Sequence, residues 1–176
     1  DKGFVEVAGQ DLNRIKAKEI PWLRQQIGMA YQDFKLLADR TVAQNISMAM
    51  EVAYHNIRAI KSRVIELLQK LRLEHKHDAL AGRLSRGEQQ RVAIARAVAN
   101  SPRLILADEP TGNLDSKTTK LVMELFEDCN ISGTTVIIAT HDNDIYRDAD
   151  YRVLELHSGR FLPQADMTTS TSNNMP

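Results

Sequence analysis

The chain is 176 residues long, 43% hydrophobic and 26% charged, with 23 lysines and arginines against 23 aspartates and glutamates and a sequence pI of about 7.2. That length suits one folded domain with its own core, and the even charge excludes the global basic field of a nucleic-acid-binding protein. The longest apolar runs are strand-sized, short of the roughly 20 residues that span a bilayer, and the single cysteine, Cys129, excludes an internal disulfide and suits a reducing compartment.

In chain order, Phe4 to Val7 reads as a strand, and Glu19 to Arg24 as a short helix beginning near Pro21, where a proline suits the first turn. Ile27 to Tyr31 is a second strand leading to Gln32. Helical periods then cover Thr41 to about Tyr54 and Ile57 to about Leu73. In the second of these, Ile57, Ile60, Val64, Leu67, Leu68 and Leu71 form one apolar stripe, expected to pack in the core. A further helix starts beside Ser85 and runs through about Ala99. Leu104 to Ala107 reads as a strand buried on both faces of a mostly parallel sheet, and Ser116 to about Cys129 as a helix. Thr134 to Ala139 is expected to be a buried strand, and Tyr151 to Leu156 with Gly159 to Leu162 a closing hairpin around His157-Ser158. From Pro163 onward the composition has no period and reads as a disordered tail. His55, His75, His77 and His157 read as solvated surface histidines, since no further ligands converge on them.

The chemistry concentrates between Leu84 and Asp115, LSRGEQQRVAIARAVANSPRLILADEPTGNLD. Asp108 and Glu109 fall at the C-terminal end of a strand, the edge at which open α/β sheets bind ligands. A side-chain period of two lets Asp108 face a magnesium ion while Glu109 faces a water; the bland alternative is a strand ending in solvated acids. Upstream, Ser85, Gly87 and Glu88 stand at a helix start, which is either a phosphate site on exposed N–H groups or an ordinary capping box set by the three-residue spacing of Ser85 and Glu88. Downstream, Pro110 to Asp115 is a turn into the next helix.

Together these segments resemble the nucleotide-binding subunits of ATP-binding-cassette (ABC) transporters. LSRGEQQ is similar to the family signature, LILADE to its magnesium-binding strand and GNLD to its dimer-facing loop. Gln32, in IGMAYQDFKLL, matches the family's glutamine loop, and His141, in VIIATHD, its switch histidine. The resemblance implies an α/β P-loop NTPase fold with a mostly parallel sheet core over 1–35 and 101–162, a helical subdomain over 36–100 carrying the signature, and a tail over 163–176. It implies ATP and Mg2+ as cofactors, with Asp108 and Gln32 at the metal, Glu109 as general base, and His141 on the γ-phosphate. Ser85, Gly87 and Glu88 would serve nucleotide held mainly by the opposite subunit, and Asp115 would cross the same interface.

IPWLRQQIGMAYQDFKLLADRTVAQNI, with ADEPTGNLD, brings the match to the cell-division branch of the family, although lipoprotein-release and macrolide-export subunits share ADEPTG. That branch implies a homodimer on the cytoplasmic face of the inner membrane, regulating peptidoglycan hydrolases through an integral membrane subunit. Tyr31, Phe34, Leu36 and Leu37, around Gln32, would either receive that subunit or pack between subdomains.

Two departures qualify the match. Arg86 stands where the family usually has a glycine, so a left-handed backbone there would be strained unless the side chain turns elsewhere. A phosphate loop needs G-x-x-x-x-G-K-[S/T], and the one glycine pair at that spacing, Gly82 and Gly87, is followed by Glu88 and Gln89. The reading is therefore the C-terminal part of a domain whose first strands and P-loop helix are absent. A module that only donates a signature face stays as an alternative. A DNA-maintenance ATPase would need coiled-coil arms, and no sustained heptads lie between Gln32 and Ser85.

Overall fold

The computed structural model describes residues 3–146 and 151–161. The chain divides into two units, Asp1–His141 and Asp142–Pro176.

The first unit opens with a hairpin of β1 (Glu6–Val7) and β2 (Gln10–Asp11), turned by Ala8 and Gly9 at positive φ, 52° and 78°; β1 ends at Val7 as expected but starts at Glu6 and not at Phe4. A 3-10 turn, Ala17–Glu19, leads into α1 (Ile20–Gln25), with Pro21 in its first turn. β3 (Ile27–Ala30) ends just before Gln32. α2 (Val42–Val52) begins on a capping box between Thr41 and Gln44, and α3 (Ile57–Lys70) on the Asn56 side chain, each satisfying helix N–H groups that lack an internal partner. α4 (Arg86–Val98), β4 (Leu104–Asp108), α5 (Ser116–Ile131) and β5 (Thr135–Ala139) complete the unit.

β3, β4 and β5 form one parallel sheet in that order, with Ala30 opposite Ala107 and Asp108 opposite Ala139. Parallel strands in register place their C-terminal ends side by side, so the segments after Ala30, Asp108 and Ala139 share one edge. α4 lies directly on β3: a methyl group at Gly28 would stand 2.1 Å from the Ala97 carbonyl oxygen, so only glycine permits the contact. The core joins Ile46 of α2, Leu67 and Leu68 of α3, Val92 and Ile94 of α4, Ile105 of β4 and Val122 of α5.

Two apolar expectations change. Ile57, in the first turn of α3, is 72% exposed, while Ile60, Val64, Leu67, Leu68 and Leu71 are buried as the stripe requires. β5 alternates instead of being buried throughout: Val136 and Ile138 pack on the core, but Ile137 is 53% exposed. It pairs only with β4, at the end of the sheet, and one of its faces is open among the described residues.

In the second unit a 3-10 turn, Asn143–Ile145, is capped by the Asp142 carboxylate, which accepts the Asp144 N–H at 3.0 Å. β6 (Leu156–His157) and β7 (Arg160–Phe161) form a minimal hairpin turning at Ser158 and Gly159, both left-handed at φ 48° and 76°. The expected strand from Tyr151 thus shortens to its last residue plus His157, which is in β6 and not in the turn. Leu162 and the tail from Pro163 lie outside the described residues.

Candidate active site at the C-terminal edge of the sheet

The edge carries the acidic pair. Asp108, the last residue of β4, is exposed. Glu109 is half-buried and left-handed, φ 46°, a backbone state that costs an L residue energy and is fixed here by its N–H donating to the Ala139 carbonyl at 2.9 Å. Its carboxylate therefore turns to the end of β5. Oε2 accepts the Thr140 hydroxyl at 3.0 Å; Oε1 accepts the His141 N–H at 3.0 Å and lies 2.7 Å from His141 Nδ1. Partial burial pushes the Glu109 carboxyl upward, but the hydrogen bonds from His141 and Thr140 outweigh it and hold the group below the ordinary carboxylate range. The His141 side chain is 87% exposed, so its ring reaches outward from the edge. Gln32 is exposed in the turn after β3, where the Phe34 N–H donates to the Tyr31 carbonyl at 3.0 Å. Three strand ends thus bring Gln32, Asp108 with Glu109, and His141 to one edge.

The signature segment is a second locus. Ser85 caps α4: its hydroxyl accepts the Glu88 N–H at 3.3 Å and donates to Glu88 Oε2 at 2.9 Å, while the Ser85 N–H donates to the same oxygen at 2.8 Å. The capping box read from the spacing is present. Lys76 Nζ adds an ion pair to Glu88 at 3.2 Å. A methyl group at Gly87 would stand 3.1 Å from the Asn113 carbonyl oxygen, so the start of α4 lies against the loop before Asp115. Asp115 in turn caps α5, accepting the Thr118 N–H at 2.8 Å.

The carboxyls of Glu88 and Asp115 are also held low. For Glu88, desolvation raises the group but the bonds from Ser85 and Lys76 win; for Asp115, the Thr118 N–H leads. A depressed folded-state pKa contributes stability that is present above the ordinary carboxylate range and lost as pH falls through the depressed value. Glu88→Gln is therefore expected to lower the thermal midpoint at neutral pH and to converge with the parent chain in acid, as a melting series against pH would read directly.

Arg86 is unstrained. It is the first helical residue of α4, with negative φ, and its guanidinium lies 5.9 Å from the centroid of the Phe34 ring. The apolar set around Gln32 therefore splits: Phe34 is 7% exposed and belongs to the interior, Leu36 is half-buried, and Tyr31 and Leu37 are exposed. A docking role for Phe34 is corrected accordingly. Phe34→Asp puts a carboxylate into that interior and is expected to destabilise the fold by about 3 kcal/mol or more, visible as an early melt by circular dichroism. Beside the loop, Tyr31, Lys35, Val52 and Arg96 help line an open groove of about 530 Å³ between α1, β3, α2 and α4.

Three residues that sequence reasoning did not single out support this site. Thr140 bonds Glu109; its one signal was its place directly before His141. Arg96 donates to the Phe34 and Lys35 carbonyls, and its signal was a cation within the apolar run AIARAVA. Asn45, fully buried in α2, bonds the Leu37 backbone at both ends.

A parallel sheet with a carboxylate pair at its C-terminal edge and a capped signature helix on its face is the architecture of an ABC cassette, and residues 1–112 match the family model for the ABC transporter. The chain belongs to that family, with its ATPase-type P-loop NTPase fold. It is similar to the cell division ATP-binding protein FtsE of Streptococcus pneumoniae, at 48% identity over 162 residues, 92% of this chain and 70% of that protein. FtsE of Bacillus subtilis is 46% identical over 158 residues, 90% of this chain and 69% of that protein. Among solved structures, a dimeric ATP-binding cassette in a post-hydrolysis state, bound to ADP and Pi, superposes with a TM-score of 0.76 at 35% identity. That match covers 83% of this chain and 66% of the other, just under two thirds of its length.

Proposed function

We propose that the chain is part of the ATP-hydrolysing subunit of a cell-division ABC complex. It would act as a homodimer on the cytoplasmic face of the plasma membrane, bound to an integral membrane subunit of the FtsX type and regulating cell-wall hydrolases through it. The observation that carries the reading is Glu109, fixed by Thr140 and His141 at the strand edge beside an exposed Asp108.

The residues present fit the magnesium of MgATP, while no phosphate cradle for the nucleotide occurs among the 176 residues. Asp108 and Gln32 offer oxygen donors, and magnesium is ordinarily held by one or two carboxylates with waters and substrate phosphates instead of a protein cage. Bound there, the ion neutralises phosphate charge. Glu109 accepts the proton of the water that attacks the γ-phosphorus as ADP departs, and His141 orients the γ-phosphate. Ser85, Gly87 and Glu88 form the face offered to nucleotide on a second copy, with Asp115 crossing the same interface. Catalysis of this kind is mostly positioning and electrostatics. The loop around Gln32, with its exposed Tyr31 and Leu37, is the surface the chain would offer to the membrane subunit.

The 176 residues contain no G-x-x-x-x-G-K-[S/T] run, so the chain alone is expected to be inactive. Joined to the N-terminal segment of the Streptococcus pneumoniae FtsE, it should show magnesium-dependent ATP turnover and co-purify with FtsX. A folded chimaera that stays inert would support a module that only donates its signature face. Capture by a lipoprotein-release or macrolide-export permease in place of FtsX would redirect the biology.

A further inference from the structure

The loop after β3 is held at two points. Arg96 of α4 donates from Nη1 to the Lys35 carbonyl at 2.6 Å and from Nη2 to the Phe34 carbonyl at 2.7 Å, one planar guanidinium spanning two successive peptide oxygens. Those two residues are both left-handed, φ 62° and 48°, which is rare for residues other than glycine. Farther on, Asn45 accepts the Leu37 N–H at 2.9 Å and donates to the Leu37 carbonyl at 3.0 Å. Gln32 therefore lies between the end of β3 and a turn that Arg96 clamps. At the other end of the same helix, Arg86 covers the Phe34 ring. β3 itself touches α4 where Gly28 meets Ala97, the neighbour of Arg96.

We propose that Arg96, assisted by Arg86, is a positioning residue for Gln32: the signature helix holds the glutamine loop in its left-handed turn, so the helix that presents Ser85 and Gly87 also sets where Gln32 stands. This explains why an arginine is tolerated at position 86, since its side chain serves the loop and not the nucleotide. The proposal rests on the role of Gln32 given above, and its structural half can be tested without turnover.

Arg96→Lys keeps the charge and most of the stem but cannot form the two-pronged contact. In the 176-residue chain, amide hydrogen exchange at Phe34 and Lys35 should rise about tenfold. The Leu37 amide, held by Asn45, should stay as it was. Arg86→Gly should raise exchange at Phe34 by about threefold. No change at Phe34 and Lys35, or a rise shared equally by Leu37 and the core, overturns the clamp. In the chimaera, Arg96→Lys should lower kcat about tenfold while KM for ATP stays within about twofold. A loosened loop with unaltered kcat overturns the positioning role. The unsubstituted chimaera tests the ATPase reading separately, so the two failures are told apart.

Discussion

Gly28→Ala is expected to lower the thermal midpoint of the chain by about 6–12 °C, the largest stability effect of any single methyl group added at its glycines, at roughly 2–4 °C per kcal/mol for a chain of this size. The added carbon would stand 2.1 Å from the Ala97 carbonyl oxygen, 2.9 Å from its carbon and 3.1 Å from Pro102 Cγ. Two of those atoms are backbone within a buried helix turn, so no flexible side chain can give way. Either β3 lifts from α4 or the helix shifts, and overpacking of this kind costs about 3 kcal/mol, toward the upper end of its usual range. Gly3 is the internal control, since nothing lies within 4 Å of a methyl group there. Gly3→Ala should leave the midpoint within about 1 °C. Equal melts for the two variants would mean that β3 and α4 do not meet backbone to backbone. Because Ala97 adjoins Arg96, the same shift should also loosen the turn at Phe34 and Lys35.

The parts legible in advance were those whose cause is local. Ser85 caps its helix because a short oxygen side chain meets an unpaired N–H a few residues on, and its spacing to Glu88 is written in the chain. β4 was legible as an unbroken apolar run ending in acids. What the chain did not disclose depends on neighbours distant in sequence. In β5, Val136 and Ile138 pack on the core while Ile137 is exposed, a difference set by what covers each face of the sheet, which the apolar run itself cannot reveal. Phe34 is buried because Arg86 and the helical layer cover it, although its own segment reads like the exposed Tyr31 and Leu37. Glu109 shows the limit most clearly. Alternation along a strand separates it from Asp108, but its left-handed backbone and its grip on Thr140 and His141 arise from the end of β5, 30 residues on in the chain.

That grip makes Glu109→Gln the substitution with the largest expected effect on turnover, a fall of roughly two to four orders of magnitude in the chimaera. The amide matches the carboxylate in volume and keeps one oxygen. With that oxygen facing His141, it still accepts the backbone N–H there, and the new NH2 can donate to the Thr140 hydroxyl, which accepts as readily as it donates. Melting should therefore change far less than it does for Gly28→Ala. What is lost is the capacity to take a proton from the attacking water, together with a charge whose hydrogen bonds hold the carboxyl low and so add a modest share of stability at neutral pH. Thr140→Val makes the converse change, keeping the carboxylate and removing one of the groups that orient it, so it should impair turnover less. Steady-state ATPase rates and melting curves on both variants separate the possibilities. If Glu109→Gln keeps turnover within about tenfold of the parent at an unchanged melt, Glu109 is not the base. A water positioned by Gln32 and His141 alone would then have to account for the reaction.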